Sequence, residues 1–354
     1  MPLNTNSDSL RTKAWAALSS GRYEEAEALY AAAVHADPES ADAHHDLGGF
    51  YQYIGRPDAA EPSLRTAYSL APQNPQTRHA LGFVLMTLGA YREGWPLYDA
   101  RHEIPELGVH KPSLPFAEWR GEPVDGKRLL IFPEQGLGDQ IQYARFASWM
   151  TGQGADVTLL CHPALTELFD QSLAAKVISA SGAVEFEDPD YWVMSGSVTG
   201  RAGLEPATLP NAPYLRASGG GAPRQATIGV VAQGNLFHPK LAHRSLPPDA
   251  AGALLSLPGT MSLHPDDTGA QDFAATAAIV DQLDLVISVD TSVVHLAAAM
   301  GKPTWILLPR IMTDWRWMSD RTDSPWYPTA RLFRQPAPGD WDSVIADVRA
   351  ALAG

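Results

Sequence analysis

Two patterns of apolar residues divide the chain. The first hundred or so residues have alanine, leucine and tyrosine at helical spacing. Later come six short apolar runs of the kind found in buried strands, which read RLLIF, DVTLLC, YWVM, TIGVVA, LDLVISV and TWILLP. Helix-compatible segments such as DQIQYARFASWM and SVVHLAAAM lie between several of these runs. The pattern predicts a helical N-terminal region followed by an α/β region with parallel sheets.

The helical region contains an internal repeat. Gly21, Gly55 and Gly89 follow one another at a spacing of 34 residues. That spacing is typical of the tetratricopeptide repeat, a helix-turn-helix unit in which small residues let two helices approach closely. We therefore expect tetratricopeptide repeats over residues 7–104. Their concave side is a candidate groove for a protein partner, and the alternative is a structural brace or a dimer contact.

Two segments rich in Pro or Gly suggest the domain boundaries. The first, HEIPELGVHKPSLPFAEWRGEPVDGK, has no regular period and predicts a linker over 105–126. The second, RASGGGAPRQAT, separates two comparable stretches of strands and helices. We expect two Rossmann-like domains, at 127–218 and 226–354, that face a cleft. Ligands of such folds bind beyond the carboxyl ends of the strands.

Charge and composition exclude several classes of function. The formal net charge is -14 and no stretch is strongly basic, which argues against binding to a nucleic-acid backbone. No window is apolar enough for a signal peptide or a membrane span, so we expect a cytoplasmic protein. The single cysteine, Cys161, excludes an internal disulfide and a zinc site built from cysteines.

The stretch PEQGLGDQIQYARF lies between the run RLLIF and a helical pattern. Gly136 and Gly138 permit positive φ and let another molecule come close to the backbone. Asp139 falls at the helix start, where it is either a helix cap or a general base at the edge of the sheet. Ile141 stands where a dinucleotide-binding motif has its third glycine, and the Lys-Ser/Thr pair of a P-loop is missing. NAD and ATP chemistry are therefore disfavoured.

A second strand-to-helix junction lies in VISVDTSVVHLAAAMGKPTWILLP. Asp290 ends the strand, Thr291 and Ser292 can cap the next helix, and His295 falls in its early turns. These residues gather at one helix N-terminus, which is suited to bind phosphate. The alternative for the histidine is a packed core residue.

The paired segments EQGLGD and SVDTSVVHLAAAMGKP are followed by DWRW and DSPWYPTARLFRQPAPGDW. With these motifs the chain resembles bacterial glycosyltransferases that couple tetratricopeptide repeats to a heptosyltransferase-like GT-B module. The resemblance runs from the repeats to Trp341. It implies an inverting, metal-independent transfer of a sugar from a nucleotide-sugar donor, bound mainly by the C-terminal domain, with no further cofactor.

The resemblance also implies roles for individual residues. Asp139 corresponds to the proposed base. The segment QGNLFHPKLAHRSLP is similar to the family's loop that contacts the diphosphate or sugar, although Leu236 and Ala242 depart from it and leave the donor's identity open. The residues expected to bind the donor are Gly136, Gly138, Gly234, Asn235, His238, Lys240, Arg244, Ser245, Asp290, Thr291, Ser292 and His295.

The acceptor is expected to be a protein selected by the repeats, with flagellin as the first choice by analogy with similar enzymes. Two alternatives stay open: a non-catalytic adaptor on a degenerate GT-B fold, and a transferase acting on a lipid or oligosaccharide. The triplet DPD at Asp188 to Asp190 is similar to the metal-binding motif of GT-A enzymes, but its loop position argues against a metal site. Trp315, Trp317 and Trp326 either stack on the ligand or belong to the core.

Overall fold

The structure, a computed structural model, describes residues 5–219, 227–234 and 243–353. The chain forms two compact units. A helical unit comprises the residues up to His110 together with Ile311–Asp320, and an α/β unit comprises Lys111–Arg310 and the chain from Arg321 onward. None of the described helices is both long enough and apolar enough to cross a lipid bilayer.

The helical unit consists of three antiparallel helix pairs. They are α1 (Thr5–Ser19) with α2 (Tyr23–Ala36), α3 (Ala41–Tyr53) with α4 (Pro57–Leu70), and α5 (Pro75–Thr87) with α6 (Tyr91–Tyr98). Gly21, Gly55 and Gly89 form the turns inside the pairs, with φ of 72°, 70° and 85°. Residues with a Cβ rarely adopt this left-handed conformation, which explains the glycine period in the sequence.

Glycine also lets the helices of the third pair touch. A Cβ on Gly82 would lie 2.5 Å from the backbone nitrogen of Tyr98 and 2.8 Å from the carbonyl oxygen of Gly94. A Cβ on Gly94 would in turn lie 3.0 Å from the carbonyl oxygen of Gly82. Because these neighbours are backbone atoms, they cannot move aside as a flexible side chain would.

A segment from late in the sequence completes the core of this unit. In this return segment, Ile311–Asp320, Trp315 is fully buried. Its ring packs edge-on against Tyr91, Trp95 and Tyr98, with centroid distances of 6.1, 5.1 and 5.9 Å. Buried aromatic pairs of this kind stabilise a core beyond the area that they bury.

Backbone hydrogen bonds hold both ends of the return segment to the helix pairs. The Met312 N–H donates to the Tyr53 carbonyl at 2.9 Å, and the Ser319 N–H donates to the Thr87 carbonyl at 3.1 Å. The third repeat therefore packs against residues more than two hundred positions away in sequence.

The α/β unit contains two five-stranded parallel sheets. The first has the order β1-β5-β2-β3-β4 and the second β10-β9-β8-β6-β7. The strands are β1 (Ala117–Glu118), β2 (Arg128–Phe132), β3 (Asp156–Cys161), β4 (Lys176–Ser179), β5 (Tyr191–Met194), β6 (Ile228–Val231), β7 (Thr260–Ser262), β8 (Leu285–Val289), β9 (Thr304–Leu308) and β10 (Ala330–Arg334). The helices are α7 (Leu137–Gly152), α8 (Pro163–Ser172), α9 (Val198–Arg201), α10 (Pro248–Leu255), α11 (Pro265–Thr268), α12 (Phe273–Asp281), α13 (Ser292–Ala299) and α14 (Trp341–Ala353).

This architecture confirms the predicted fold class. The six apolar runs become β2, β3, β5, β6, β8 and β9, and every residue of β8 is buried, as a central parallel strand requires. The strands without a sequence signal are short or partly exposed, namely β1, β4, β7 and β10. Strand β1 lies inside the segment predicted as a linker and pairs with β5.

Candidate functional site

Both sheets have a topological switch point. From β2 the chain first adds β3 and β4 on one side and then β5 on the other. In the second sheet the chain goes from β6 to β7 and then crosses to β8. Crevices for ligands form at the carboxyl ends of strands at such points. The two predicted motifs follow β2 and β8, and Gly234 follows β6.

The glycines of the first junction serve a different purpose from the one predicted. Gly136 is the N-cap residue of α7 with φ of -83°, and Gly138 lies inside the first turn, so neither needs positive φ. The left-handed residue of this junction is Gln135, with φ of 61°. The expectation of positive φ at the glycines was therefore wrong, whereas a close approach to Gly138 is present.

Asp139 occupies the third helical position of α7 rather than the N-cap. Its Oδ2 accepts a hydrogen bond from the Gly136 N–H at 2.9 Å, which satisfies a backbone donor that a helix start otherwise leaves open. The side chain is partly exposed. The capping interpretation thus has a defined geometry, and the role as a base stays a prediction.

Glu134 anchors the same junction to the neighbouring strand. Its buried carboxylate accepts a hydrogen bond from the Gly196 N–H, just beyond the end of β5. The loop after β2 is therefore held against the end of β5. Glu134 has no predicted role, because a glutamate in a glycine-rich loop has no local signature.

The two motifs meet at Gly138 and His295. A Cβ on Gly138 would lie 2.8 Å from His295 Cδ2, 3.4 Å from His295 Nε2 and 3.4 Å from Ser292 Cα. Helices α7 and α13 therefore touch through a residue without a side chain. Asp139 is the next residue after this contact point, so the structure brings the predicted base and the predicted phosphate-binding turn to the same place.

The start of α13 has no side-chain cap. Thr291 occupies the N-cap position, but its side chain accepts no hydrogen bond from the helix. Its hydroxyl lies 3.2 Å from the hydroxyl of Ser288 instead. Ser292 is the first residue of the helix. The expected capping by Thr291 and Ser292 is therefore not made, and the N-terminus keeps the positive end of its dipole available to an anion.

An arginine and a histidine lie close to Asp290, which is only 6% exposed. Arg244 Nη1 lies 3.6 Å from Asp290 Oδ2, and His295 Nε2 lies 4.0 Å from Asp290 Oδ1. Arg244 Nε is buried and has no hydrogen-bond partner among the described residues. A guanidinium that is restrained by a carboxylate, and whose Nε has no partner among the described residues, is suited to bind phosphate.

The end of β6 contributes to the same cluster. The Gly234 N–H donates to Ser245 Oγ at 3.2 Å. A Cβ on Gly234 would lie 3.6 Å from Arg244 Nε and 3.8 Å from Thr291 Cγ2. The structure thus gathers several predicted donor-binding residues, namely Gly138, Gly234, Arg244, Ser245, Asp290, Thr291, Ser292 and His295. Asn235, His238 and Lys240 lie outside the described residues, as do Leu236 and Ala242.

Family models match both parts of the chain. Residues 17–62 match the model described as tetratricopeptide repeat, and residues 268–307 match the model described as glycosyltransferase family 9 (heptosyltransferase). The chain thus joins a segment that matches tetratricopeptide repeats to a segment that matches glycosyltransferase family 9. The family 9 match includes Asp290 and His295, whereas Asp139 and Arg244 lie outside it.

Other proteins are similar to the chain at low identity. The chain is 22% identical over 374 residues to Protein FlbA of Caulobacter vibrioides, in an alignment that covers 89% of this chain and 62% of FlbA. It therefore spans less than two thirds of the length of that relative. Among solved structures, the first tetratricopeptide domain of Spaghetti (RPAP3) bound to an HSP90 peptide is 20% identical to this chain, with a TM-score of 0.27. The match covers 28% of this chain and 79% of the chain in that structure. The tetratricopeptide domain of Sgt2 from Aspergillus fumigatus is 21% identical and also has a TM-score of 0.27. That match covers 29% of this chain and 66% of the Sgt2 chain. Scores this low say nothing about function.

Two residues of the site had no predicted role. His295 Nδ1 lies 2.9 Å from the hydroxyl of Tyr327, and the guanidinium of Arg145 lies 4.7 Å from the centre of the Tyr327 ring. Arg145 and Tyr327 are both almost fully buried. Tyr327 was visible only as part of a tryptophan-rich block, and no local pattern links it to a histidine 32 residues earlier.

The tryptophans of the C-terminal block belong to the cores. Trp315, Trp317 and Trp326 are all 0% exposed. Trp326 packs edge-on against Tyr143 and Phe146. Their complete burial therefore gives no support to the alternative in which these rings stack on a ligand.

The acidic triplet before β5 has a structural contact. Asp190 Oδ2 accepts a hydrogen bond from the Arg128 N–H at 2.8 Å, and this bond lowers the pKa of Asp190. Among the residues that the structure describes, no group of three or more His, Cys, Asp or Glu side chains has a geometry able to hold a metal ion.

Proposed function

We propose that the protein is a glycosyltransferase that transfers a sugar from a nucleotide-sugar donor to a protein acceptor, with inversion at the anomeric carbon and without a metal ion. The observation that carries this proposal is the contact of α7 with α13 at Gly138 and His295, directly beside Asp139 and the pair formed by Arg244 and Asp290. The match to glycosyltransferase family 9 supports the class of reaction.

The donor's diphosphate is proposed to bind at the N-terminus of α13. The uncapped first turn offers backbone N–H groups and a favourable dipole. Arg244 adds a positive charge within 3.6 Å of Asp290, which keeps the guanidinium at this edge of the sheet. These groups stabilise the negative charge that develops on the leaving phosphate when the glycosyl–oxygen bond breaks.

Asp139 is proposed to accept the proton of the acceptor hydroxyl. As that proton moves to the carboxylate, the acceptor oxygen forms a bond to the anomeric carbon, and the nucleotide leaves with the electrons of the old bond. The Gly136 N–H uses one of about four lone-pair sites of the carboxylate, so the capping bond and proton transfer are compatible.

The repeats are proposed to select the acceptor. A tetratricopeptide unit presents a concave surface on which peptide segments bind, and the net charge of -14 favours a partner without strong negative charge. Flagellin is the first acceptor to test, because the sequence resembles flagellin-modifying transferases.

The test compares Asp139→Asn with Asp340→Asn in cells that lack the native protein. Asp340 also accepts a backbone hydrogen bond at a helix start, from the Ser343 N–H at 3.1 Å, so the control replaces a similar carboxylate by an amide that can still accept this bond. The intact mass of purified flagellin reports the modification. We expect the added mass with the wild type and with Asp340→Asn, and its loss with Asp139→Asn. Full modification by Asp139→Asn would refute the role as a base.

A non-catalytic adaptor is the second candidate, because the capping bond gives Asp139 a structural role that needs no reaction. Calorimetry with intact nucleotide sugars separates the two functions. In this experiment the protein would bind a nucleotide sugar but transfer no sugar to the acceptor that cells modify, if the adaptor is the right function.

A further inference from the structure

The turn that leads from β2 into α7 is fixed at its start by Glu134. The Glu134 side chain is 5% exposed, and its carboxylate accepts a hydrogen bond from the Gly196 N–H, just beyond the end of β5. The next residue, Gln135, has φ of 61°, a left-handed conformation that residues with a Cβ rarely adopt. Such a conformation persists where the surrounding contacts hold it. The bond between Glu134 and Gly196 is one of these contacts.

Gly196 comes closer to the turn than a residue with a side chain could. A Cβ on Gly196 would lie 2.6 Å from Glu134 Oε1, 2.9 Å from Glu134 Cδ and 3.1 Å from Tyr143 Cε2. Ordinary van der Waals contact begins at 3.4 Å. Glu134 and Tyr143 are both buried in a packed interior, so neither side chain moves aside without displacing its neighbours. The contact therefore requires a glycine at position 196.

The same glycine touches α7 beyond Asp139. Tyr143 follows Asp139 by four residues, and residues four apart share one face of a helix. The end of β5 therefore contacts the chain before Asp139, at Glu134, and again one turn after it, at Tyr143. The first turn of α7 is confined by these two contacts, in addition to the contact of Gly138 with α13.

We propose that Glu134 and Gly196 are a positioning pair that holds the first turn of α7 and thereby sets the position of Asp139. The pair acts through the hydrogen bond and the close contact, and not through the charge of Glu134. The consequence for sugar transfer rests on the proposed function. The hold on α7 does not, because it follows from contacts within the α/β unit.

Two substitutions of Glu134 separate this role from that of a reacting carboxylate. Glutamine keeps an oxygen that accepts from the Gly196 N–H, whereas methionine has a similar shape but leaves this buried donor without its acceptor. The assay follows the intact mass of flagellin after induced expression in cells that lack the native protein. We expect Glu134→Gln to modify flagellin at the wild-type rate and Glu134→Met at least about tenfold more slowly, because a displacement of about 1 Å at a reacting group slows a reaction about a hundredfold. Glu167→Met, at an exposed glutamate of α8, is the control and should act like the wild type.

Gly196→Ala tests the pair from the other side. The new Cβ would lie 2.6 Å from Glu134 Oε1 and has to reach 3.4 Å, which is a shift of about 0.8 Å. We expect this variant to modify flagellin as slowly as Glu134→Met does. Gly152→Ala is the matched control, because a Cβ on Gly152 has no neighbouring atom within 4 Å.

Two further readouts separate a positioning role from general damage to the fold. The proposed nucleotide site lies at the start of α13, so calorimetry with UDP, GDP, ADP and CMP should give Glu134→Met and Gly196→Ala the same nucleotide affinity as the wild type. Hydrogen–deuterium exchange without a nucleotide should be faster in residues 135–140 of both variants, because a turn that has lost its contacts opens more often. Exchange in Glu134→Gln should match that of the wild type.

Three results would overturn the positioning role. They are loss of transfer in Glu134→Gln, wild-type transfer in Glu134→Met or Gly196→Ala, and a nucleotide affinity that falls as much as transfer does. If flagellin from cells with the wild type carries no added mass, the proposed function fails at its acceptor. The exchange of residues 135–140 then still decides whether the pair holds α7, and unchanged exchange in Glu134→Met and Gly196→Ala would refute that hold.

Discussion

Replacement of Gly138 by alanine tests the contact between the two motifs. The new Cβ would lie 2.8 Å from His295 Cδ2, whereas ordinary van der Waals contact begins at 3.4 Å. The helices or the His295 ring must therefore move apart by about 0.6 Å. Overpacking of this kind costs about 1–3 kcal/mol, and the better helix propensity of alanine returns about 1 kcal/mol.

The effect on function is expected to exceed the effect on stability. A displacement of about 1 Å at a reacting group can slow a reaction by about a hundredfold, so a shift of 0.6 Å at His295 predicts at least a tenfold loss of transfer. The free energy of unfolding should change by no more than about 2 kcal/mol.

Gly152→Ala is the matched control on the same helix. A Cβ on Gly152 has no neighbouring atom within 4 Å, so this variant should fold and act like the wild type. The intact mass of the acceptor from complemented cells measures transfer, and urea unfolding measures stability. If Gly138→Ala modifies the acceptor as fully as Gly152→Ala does, the contact between α7 and α13 is not part of the active arrangement.

Three further predictions concern the donor site, the helical core and alkaline pH. Arg244→Met should weaken nucleotide binding about tenfold or more in calorimetry, because a charge-assisted hydrogen bond to phosphate is lost. The control variant Arg331→Met, at an exposed arginine, should bind the nucleotide normally. Equal affinities of the two variants would exclude Arg244 from the donor site. Trp315→Ala should lower the free energy of unfolding, measured in urea, by about 3–5 kcal/mol. Trp15→Ala, at a residue 65% exposed, should change this free energy by less than about 0.5 kcal/mol. A small effect at Trp315 would contradict the packing of the return segment. Burial raises the pKa of Tyr30 to about 12 from its ordinary 10.0, so the folded state favours the neutral phenol. The contribution of the neutral phenol to the free energy of unfolding is therefore lost as the pH rises from 10 through 12. Tyr30→Phe should lose less stability over that range in urea unfolding, and an unchanged pH profile would contradict the assignment.

Local patterns were sufficient for the parts of the fold that depend on local constraints. The glycine period marks turns that need positive φ, and the central strands are continuous apolar runs because both of their faces are buried. Edge strands such as β1 and β7 have only two or three residues and half-exposed faces, so no period identifies them.

The return segment had no such local signal. The sequence placed the whole of 226–354 in one domain, whereas the structure includes Ile311–Asp320 in the helical unit. Nothing in DWRW indicates that Trp315 packs against Tyr91 and Trp95. Deleting the repeats would therefore also expose a buried tryptophan, so such a deletion is a poor test of acceptor choice.

In the candidate site, the two strand-to-helix junctions were predictable because each consists of adjacent residues. The partners of these residues come from other elements. Arg145 and the Trp326 carbonyl are 181 positions apart, and Tyr327 reaches His295 from a loop beyond the return segment. A single sequence contains no pattern that pairs residues at such separations.

Hydrogen–deuterium exchange with and without a nucleotide tests the central claim most directly. The diphosphate is proposed to bind at the start of α13, with the start of α7 beside it. A nucleotide that binds in calorimetry should therefore slow amide exchange in both segments, residues 291–295 and 136–140, in the same experiment. If nucleotide binding slows exchange in other segments and leaves exchange in these two segments unchanged, the proposed site is contradicted.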